Sequence, residues 1–237
     1  MQRKLKSLKL LVRNFPHSFR LVLLMCLIQA YICGAAQRRS KEIKIDFLGM
    51  HGVNATILLS AILEQSWLSI QNKIRLLEWV GRFLLALYCS NHVAPLHVSE
   101  VSDYMPTKSA LGSEGSWDNI ISRAVDMSDD GHVAKLIRAL AFGEKACEGW
   151  EEKTPLIING KMWRQIGSMS TQNPLVNLII LLAIKSNKFP LSAVDSTELK
   201  SDEWREGLDW KQMYRLSNMK WVRGAGYDEA WEPFGER

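Results

Sequence analysis

The sequence predicts an all-α chain, an irregular helical bundle of roughly six to eight helices that is part or all of one domain. Three observations lead there. Apolar residues recur at three-and-four spacing over long stretches: Ile70, Ile74, Leu77, Gly81, Leu84 and Tyr88 in one, Val133, Leu136, Ile137, Leu140 and Ala141 in another. Residues that cap helices stand just ahead of both, Ser69 before the first and Ser128, Asp129 and Asp130 before the second. Alternation with a period of two is brief, running from Lys41 to Asp46. With 47% hydrophobic residues in 237, the chain can bury a core.

Taken in order, residues 1–20 are basic, with Arg3, Lys4, Lys6, Lys9, Arg13 and Arg20. Residues 21–36 are an apolar run with a small-residue end, followed by Gln37-Arg38-Arg39. That layout is a secretory signal's, and the run falls short of the roughly 20 residues of a membrane span. Three readings fit it: a signal or anchor, an interior helix of a larger soluble protein whose upstream half is absent, or a misplaced gene start. The last two, with a cytoplasmic location, are favoured; the first makes the chain secreted or membrane-anchored.

Lys41 to Asp46 reads as a lead into a helix rather than a strand. Residues 46–65 are mostly apolar, and His51, Asn54 and Leu58 share one helical face. Such a face either lines a pocket or satisfies neighbouring backbone. From Ser69 to about Ser90 the helix carries a second apolar face, Leu76, Trp79, Phe83 and Leu87, which predicts burial between neighbours. Glu78 and Arg82 on it are spaced to pair. Residues 91–116 form a connector broken by Pro95, Pro106 and glycines, and Trp117 to Val125 forms a short helix.

The next helix, ending near Gly149 or Trp150, holds His132 in its first turn, with Lys135 and Arg138 also off the apolar stripe. His132 is either a proton carrier or a packing residue. Leu156 to Ile158 predicts a brief strand turned by Asn159-Gly160, and a helix starts at Lys161. Residues 170–219 read as an inserted helical hairpin or as intron sequence translated through. The tail, Trp221 to Trp231, is dense in binding groups. Arg223 suits an anion or a quinone oxygen. Trp221, Tyr227 and Trp231 offer flat faces, and Asp228 and Glu229 are candidate bases. The plainer reading of the tail is a terminal segment pinned to the body by its tryptophans and a salt bridge.

Several classes of function are excluded. The net charge of +5 owes much to the first twenty residues, so no basic stripe for nucleic acid runs along the body. Cys26, Cys33, Cys89 and Cys147 lie far apart without a CxxC, against a disulfide scaffold or a zinc cluster. Cys89, His92 and His97 match no usual metal-ligand spacing, so no metal is expected. GxGxxG and GxxxxGK[ST] are both absent; a flavin or nicotinamide site is therefore not visible.

Four ordered blocks carry a resemblance: IDFLGMHGVNATILLSAILEQSWLSIQNKIRLLEWVGRFLLALY (Ile45–Tyr88), DDGHVAKLIRALAFGEKAC (Asp129–Cys147), INGKMWRQIG (Ile158–Gly167) and WVRGAGYDEAW (Trp221–Trp231). Together they resemble the C-terminal portion of the questin oxidase family, fungal enzymes that open polyketide-derived anthraquinone rings by Baeyer–Villiger-type oxidation. The resemblance implies residues 43–237 as the family region, with an atypical insert at 170–219, and residues 1–42 as a separate N-terminal segment. It also implies an NADPH- and oxygen-dependent monooxygenase acting on a small aromatic polyketide, with flavin use left open. His51, His132 and Asp228 are then the candidates for proton transfer. Asn54, Lys135, Trp221, Arg223, Tyr227 and Trp231 are the candidates for holding substrate. The competing expectation is a catalytically incomplete helical remnant, or a non-enzymatic protein tethered to a membrane through residues 21–36.

Overall fold

The computed structural model describes residues 17–106, 115–127, 131–148, 156–171 and 221–236. Among these residues the chain is mostly helical, with seven α-helices and two strands of two residues each. The helices are α1 (His17–Ala35), α2 (Phe47–Leu63), α3 (Ile70–Ser90), α4 (Ser99–Ser102), α5 (Trp117–Asp126), α6 (His132–Cys147) and α7 (Met162–Ser170).

Helix α1 is apolar nearly all round, and such a helix belongs inside. It packs against α2, α3, α4, α6 and α7, burying Leu23, Cys26, Leu27, Ala30 and Cys33. The apolar run at 21–36 is therefore part of the core. Among the described residues, no helix is long and apolar enough to cross a membrane. Helix α6 supplies the other half of the core through Val133, Leu136, Ile137 and Leu140, the stripe its spacing predicts. Trp163 of α7 fills the space beside Gly143, where an added Cβ would come within 2.5 Å of the indole.

Lys41–Asp46 becomes both things its sequence allows. Strand β1 (Ile45–Asp46) pairs in parallel with β2 (Trp221–Val222), Ile45 opposite Trp221 and Asp46 opposite Val222. Asp46 is at the same time the N-cap of α2, accepting from the Gly49 N–H at 2.6 Å. The strands are far apart in sequence, so the tail returns across the fold to lie along residues 37–46. The Glu42 N–H donates to the Gly235 carbonyl at 2.9 Å. Lys41 pairs with Glu236 at 2.7 Å and Arg38 with Asp228 at 2.6 Å.

Four sequence expectations need correction or bounding. Helix α3 begins after Ser69 as predicted, and Glu78 pairs with Arg82 at 2.5 Å. It is not buried between neighbours, however: Leu77 and Leu84 are buried, whereas Trp79 and Phe83 are 63% and 64% exposed. Of its second apolar face, Leu76 and Leu87 are half-buried, Leu76 against the cluster of Val22, Leu59, Leu63 and Leu77, while Trp79 and Phe83 stay uncovered among the described residues. Residues 156–158 form a bend rather than a strand, with the Asn159 side-chain amide donating to the Leu156 carbonyl at 3.1 Å. Helix α6 has Gly131, at φ 84°, as its N-cap and ends at Cys147 with Glu148 as its C-cap. The expected caps at 128–130, the expected end at 149–150 and most of the 170–219 segment lie outside the described residues.

Candidate functional site

Two helices begin side by side at one end of the bundle. Phe47 opens α2 and His132 opens α6. The Phe47 and His132 rings lie 5.0 Å apart, centre to centre. His51, one turn into α2, stands edge-on to Phe47 at 4.8 Å and to His132 at 5.2 Å. The same helices meet again farther along, where Arg138 of α6 donates to the Asn54 side-chain oxygen at 3.2 Å. Contacts that step forward on both helices mean that α2 and α6 run the same way along their seam. Both N-termini, with their dipoles' positive ends, therefore lie at the histidine end.

Strand β2 completes the cluster from the other side. Trp221 is edge-on to Phe47 at 5.9 Å and to His132 at 6.5 Å. The Arg223 guanidinium carbon lies 4.2 Å from the centre of the Phe47 ring, a cation–π contact. His51 and Arg223 are exposed and His132 is half-buried, so the group is open to solvent on one side while Trp221 is buried behind it. Two imidazoles, a guanidinium and aromatic edges in one place can move protons and steady negative charge beside a flat ring.

Of the residues the sequence nominated, His51, His132, Trp221 and Arg223 come together. Asn54 lies one turn beyond His51, held by Arg138. Lys135 follows His132 by one turn on α6 and is half-buried. Three others have different partners. The Asp228 side chain is 90% exposed and paired with Arg38. Tyr227 stacks on His92 at 4.8 Å and donates to the Ser90 carbonyl at 3.1 Å. Trp231 is buried, its indole N–H donating to the Ala225 carbonyl at 3.0 Å, so it anchors the tail.

Sequence reasoning missed Phe47, the ring that touches His51, His132, Trp221 and Arg223 alike. It also missed Asp46. The signal for both was an aspartate directly ahead of an apolar helical run, which marks a helix start. Beneath this corner lies Cys33, its thiol pushed well up by burial and then by the negative charge of Asp46. Among the described residues no cluster of three or more metal-ligating side chains is present.

The fold is thus a helical bundle whose cluster of two imidazoles, a guanidinium and aromatic rings lies where two helices begin. The chain belongs to the questin oxidase-like family, whose pattern matches residues 20–140. It is 39% identical over 149 residues to a Baeyer-Villiger oxidase of Pestalotiopsis microspora, covering 62% of this chain and 32% of that protein. Identity to the questin oxidase of Aspergillus fumigatus is 35% over 144 residues, 60% of this chain and 31% of the relative. The oxidoreductase AflY of Aspergillus parasiticus matches over a longer stretch, 29% over 205 residues, 86% of this chain and 38% of the relative. The chain thus spans about a third of the length of the curated relatives it matches.

Proposed function

We propose that the chain contributes the acid–base and ring-holding part of a Baeyer–Villiger-type oxidation, the oxidative ring opening of a fused-ring aromatic polyketide in fungal secondary metabolism. The observation that carries this reading is the convergence of His51 and His132, 5.2 Å apart, on Phe47, Trp221 and Arg223. In such a reaction one atom of O2 enters between the ketone carbon and the adjoining ring carbon. The second leaves as water, with two electrons from a reductant.

Each residue then has a defined task. Phe47 and Trp221 offer ring edges and faces to a planar substrate. Arg223 holds a phenolate or the oxygen of the ketone as negative charge gathers on it. His51 and His132 carry protons to and from oxygen, each within reach of the other directly or through one water. Lys135 and Asn54 border the seam and help set substrate orientation. Asp228, Tyr227 and Trp231 take no part in this scheme, since their contacts hold the tail.

NADPH is the reductant that the resemblance implies. At the β1–α2 junction the described residues form no cradle for a dinucleotide. The strand–helix junction at β1–α2 lacks a glycine-rich turn. Its nearby Gly49 and Gly52 are filled by helix packing, an added Cβ at Gly52 lying 2.2 Å from the Gln29 side-chain oxygen. No step is therefore routed through a bound nicotinamide.

The test is oxygen uptake by the purified chain with an anthraquinone and added NADPH. Quinone-dependent uptake is expected, reduced about 100-fold or more by His51→Ala or His132→Ala. Uptake indifferent to quinone, or to both histidines, overturns the enzymatic reading. A second reading, a helical protein without turnover, is supported by Trp79 and Phe83 of α3, which stay exposed among the described residues. Absence of uptake together with intact folding supports it.

A further inference from the structure

The geometry points to Asp46 as a positioning residue that sets Trp221 and Arg223 against Phe47 and His51 by clamping the tail to the start of α2. The buried Asp46 carboxylate receives four N–H groups from three parts of the chain. Its Oδ1 accepts from the Gly49 N–H in the first turn of α2 at 2.6 Å, and from the Asn91 side-chain amide at the end of α3 at 2.9 Å. Its Oδ2 accepts from the Gly224 and Ala225 N–H groups at 3.3 and 3.0 Å. Gly224, at φ 88°, turns the chain so that these two successive N–H groups face one oxygen.

The consequence follows from adjacency. Asp46 is bonded directly to Phe47, whose ring carries the contacts to His51, His132 and Arg223. The N–H groups on Oδ2 belong to the two residues that follow Arg223. One carboxylate therefore fixes both sides of the Arg223–Phe47 contact. A serine at 46 keeps the helix cap, since a hydroxyl accepts from Gly49 as a carboxylate does. It is too short to reach Gly224 and Ala225. This separates holding the helix from placing the tail.

The inference rests on the proposed site for its meaning in catalysis, but its geometry is tested without it. In the folded chain the Phe47 ring current displaces the Arg223 side-chain protons upfield, which NMR of labelled arginine side chains reads. In Asp46→Ser the displacement is expected to vanish while the helical circular dichroism stays. Asn91→Ala, which also costs the carboxylate a bond but leaves Oδ2 untouched, is expected to keep it. An unchanged Arg223 signal in Asp46→Ser, or equal loss in Asn91→Ala, overturns the assignment.

Should Asp46→Ser not fold, Asp46→Asn tests the same point. Asn also caps helices, but its amide N–H2 must face N–H donors on one side or the other. Ligand binding supplies the second readout, an anthraquinone titrated against tryptophan fluorescence. Arg223→Ala and Asp46→Ser are each expected to weaken binding about tenfold, and together by little more than either alone. Additive losses mean that Asp46 does not act through Arg223 and overturn its positioning role. If Arg223→Ala leaves binding unchanged while the NMR result holds, the substrate site fails and the clamp stands.

Discussion

At the Asp46 corner four N–H groups close on a single buried carboxylate, and the tail is bonded back to residues 37–46 along its length. Helix α3 is more than twenty residues of apolar periodicity with only Leu77 and Leu84 buried, while Ile70, Ile74, Trp79, Phe83 and Leu85 face solvent. The corner is closed by its own hydrogen bonds. Helix α3 carries more apolar surface than its described neighbours cover. The chain holds about a third of its relatives' length, and the uneven burial falls on α3 rather than on the residues that gather around Phe47. The two regions can therefore be tested separately, one closed by hydrogen bonds and one with its outer face open among the described residues.

The sharpest way to break the comparison lies in the corner. A Cβ added at Gly226 would sit 2.1 Å from the Asn91 carbonyl oxygen and 2.7 Å from that of His92. Both are backbone atoms, and His92 and Val93 already hold positive φ angles of 57° and 47°. The chain there cannot give way cheaply. Gly226→Ala is expected to cost about 3 kcal/mol, a fall of roughly 6–12 °C in Tm for a chain of this size. An unchanged melting temperature would mean that the tail does not pack against the end of α3.

Adjacent residues on α3 provide the next test. Leu84 is 5% exposed and Phe83 is 64% exposed. Leu84→Ala is expected to cost about 3 kcal/mol, and Phe83→Ala less than about 0.5 kcal/mol, as for an ordinary surface change. Urea unfolding of the two variants decides it. Comparable losses would show that the outer face of α3 is covered in solution and that the contrast with the corner is false.

Much of the helical architecture is legible in the sequence, because periodicity and caps are local. Ser69 and Ser116 each accept from the N–H three residues on, at 3.3 Å in both cases. Burial is not local, and α3 shows the limit: two apolar faces predict neighbours on both, and the described residues bury Leu77 and Leu84 while leaving Trp79 and Phe83 exposed. The candidate site was half legible. His51 and His132 stand out as residue types, and Trp221 and Arg223 as members of a dense tail. Their meeting depends on parallel pairing of Ile45–Asp46 with Trp221–Val222, a contact between distant segments that no local pattern announces. Asp228, Tyr227 and Trp231 drew attention through the same density, yet their partners are Arg38, His92 and the Ala225 carbonyl. Residue type alone cannot separate a group that binds a ligand from one that fastens a terminus.

The thiols report on both regions at once. Cys33 lies under the corner, buried, and Cys89 lies exposed near the end of α3. Iodoacetamide at pH 8 is expected to label Cys89 and to spare Cys26, Cys33 and Cys147 until the chain is unfolded. Burial also pushes the Cys26 thiol up to about 11 and the Cys33 thiol upward with it. Below about pH 9 both folded and unfolded thiols keep their protons, and the stability they contribute is whole. As pH rises toward 11 the unfolded chain loses those protons first, so stability falls with pH across that window. Replacing Cys26 by Ala should lessen the alkaline loss by up to about 2 kcal/mol, read from urea midpoints at pH 8 and pH 10.5. Labelling of Cys33 as fast as that of Cys89 would show that the corner opens readily, and the rigid placement of Arg223 over Phe47 would go with it.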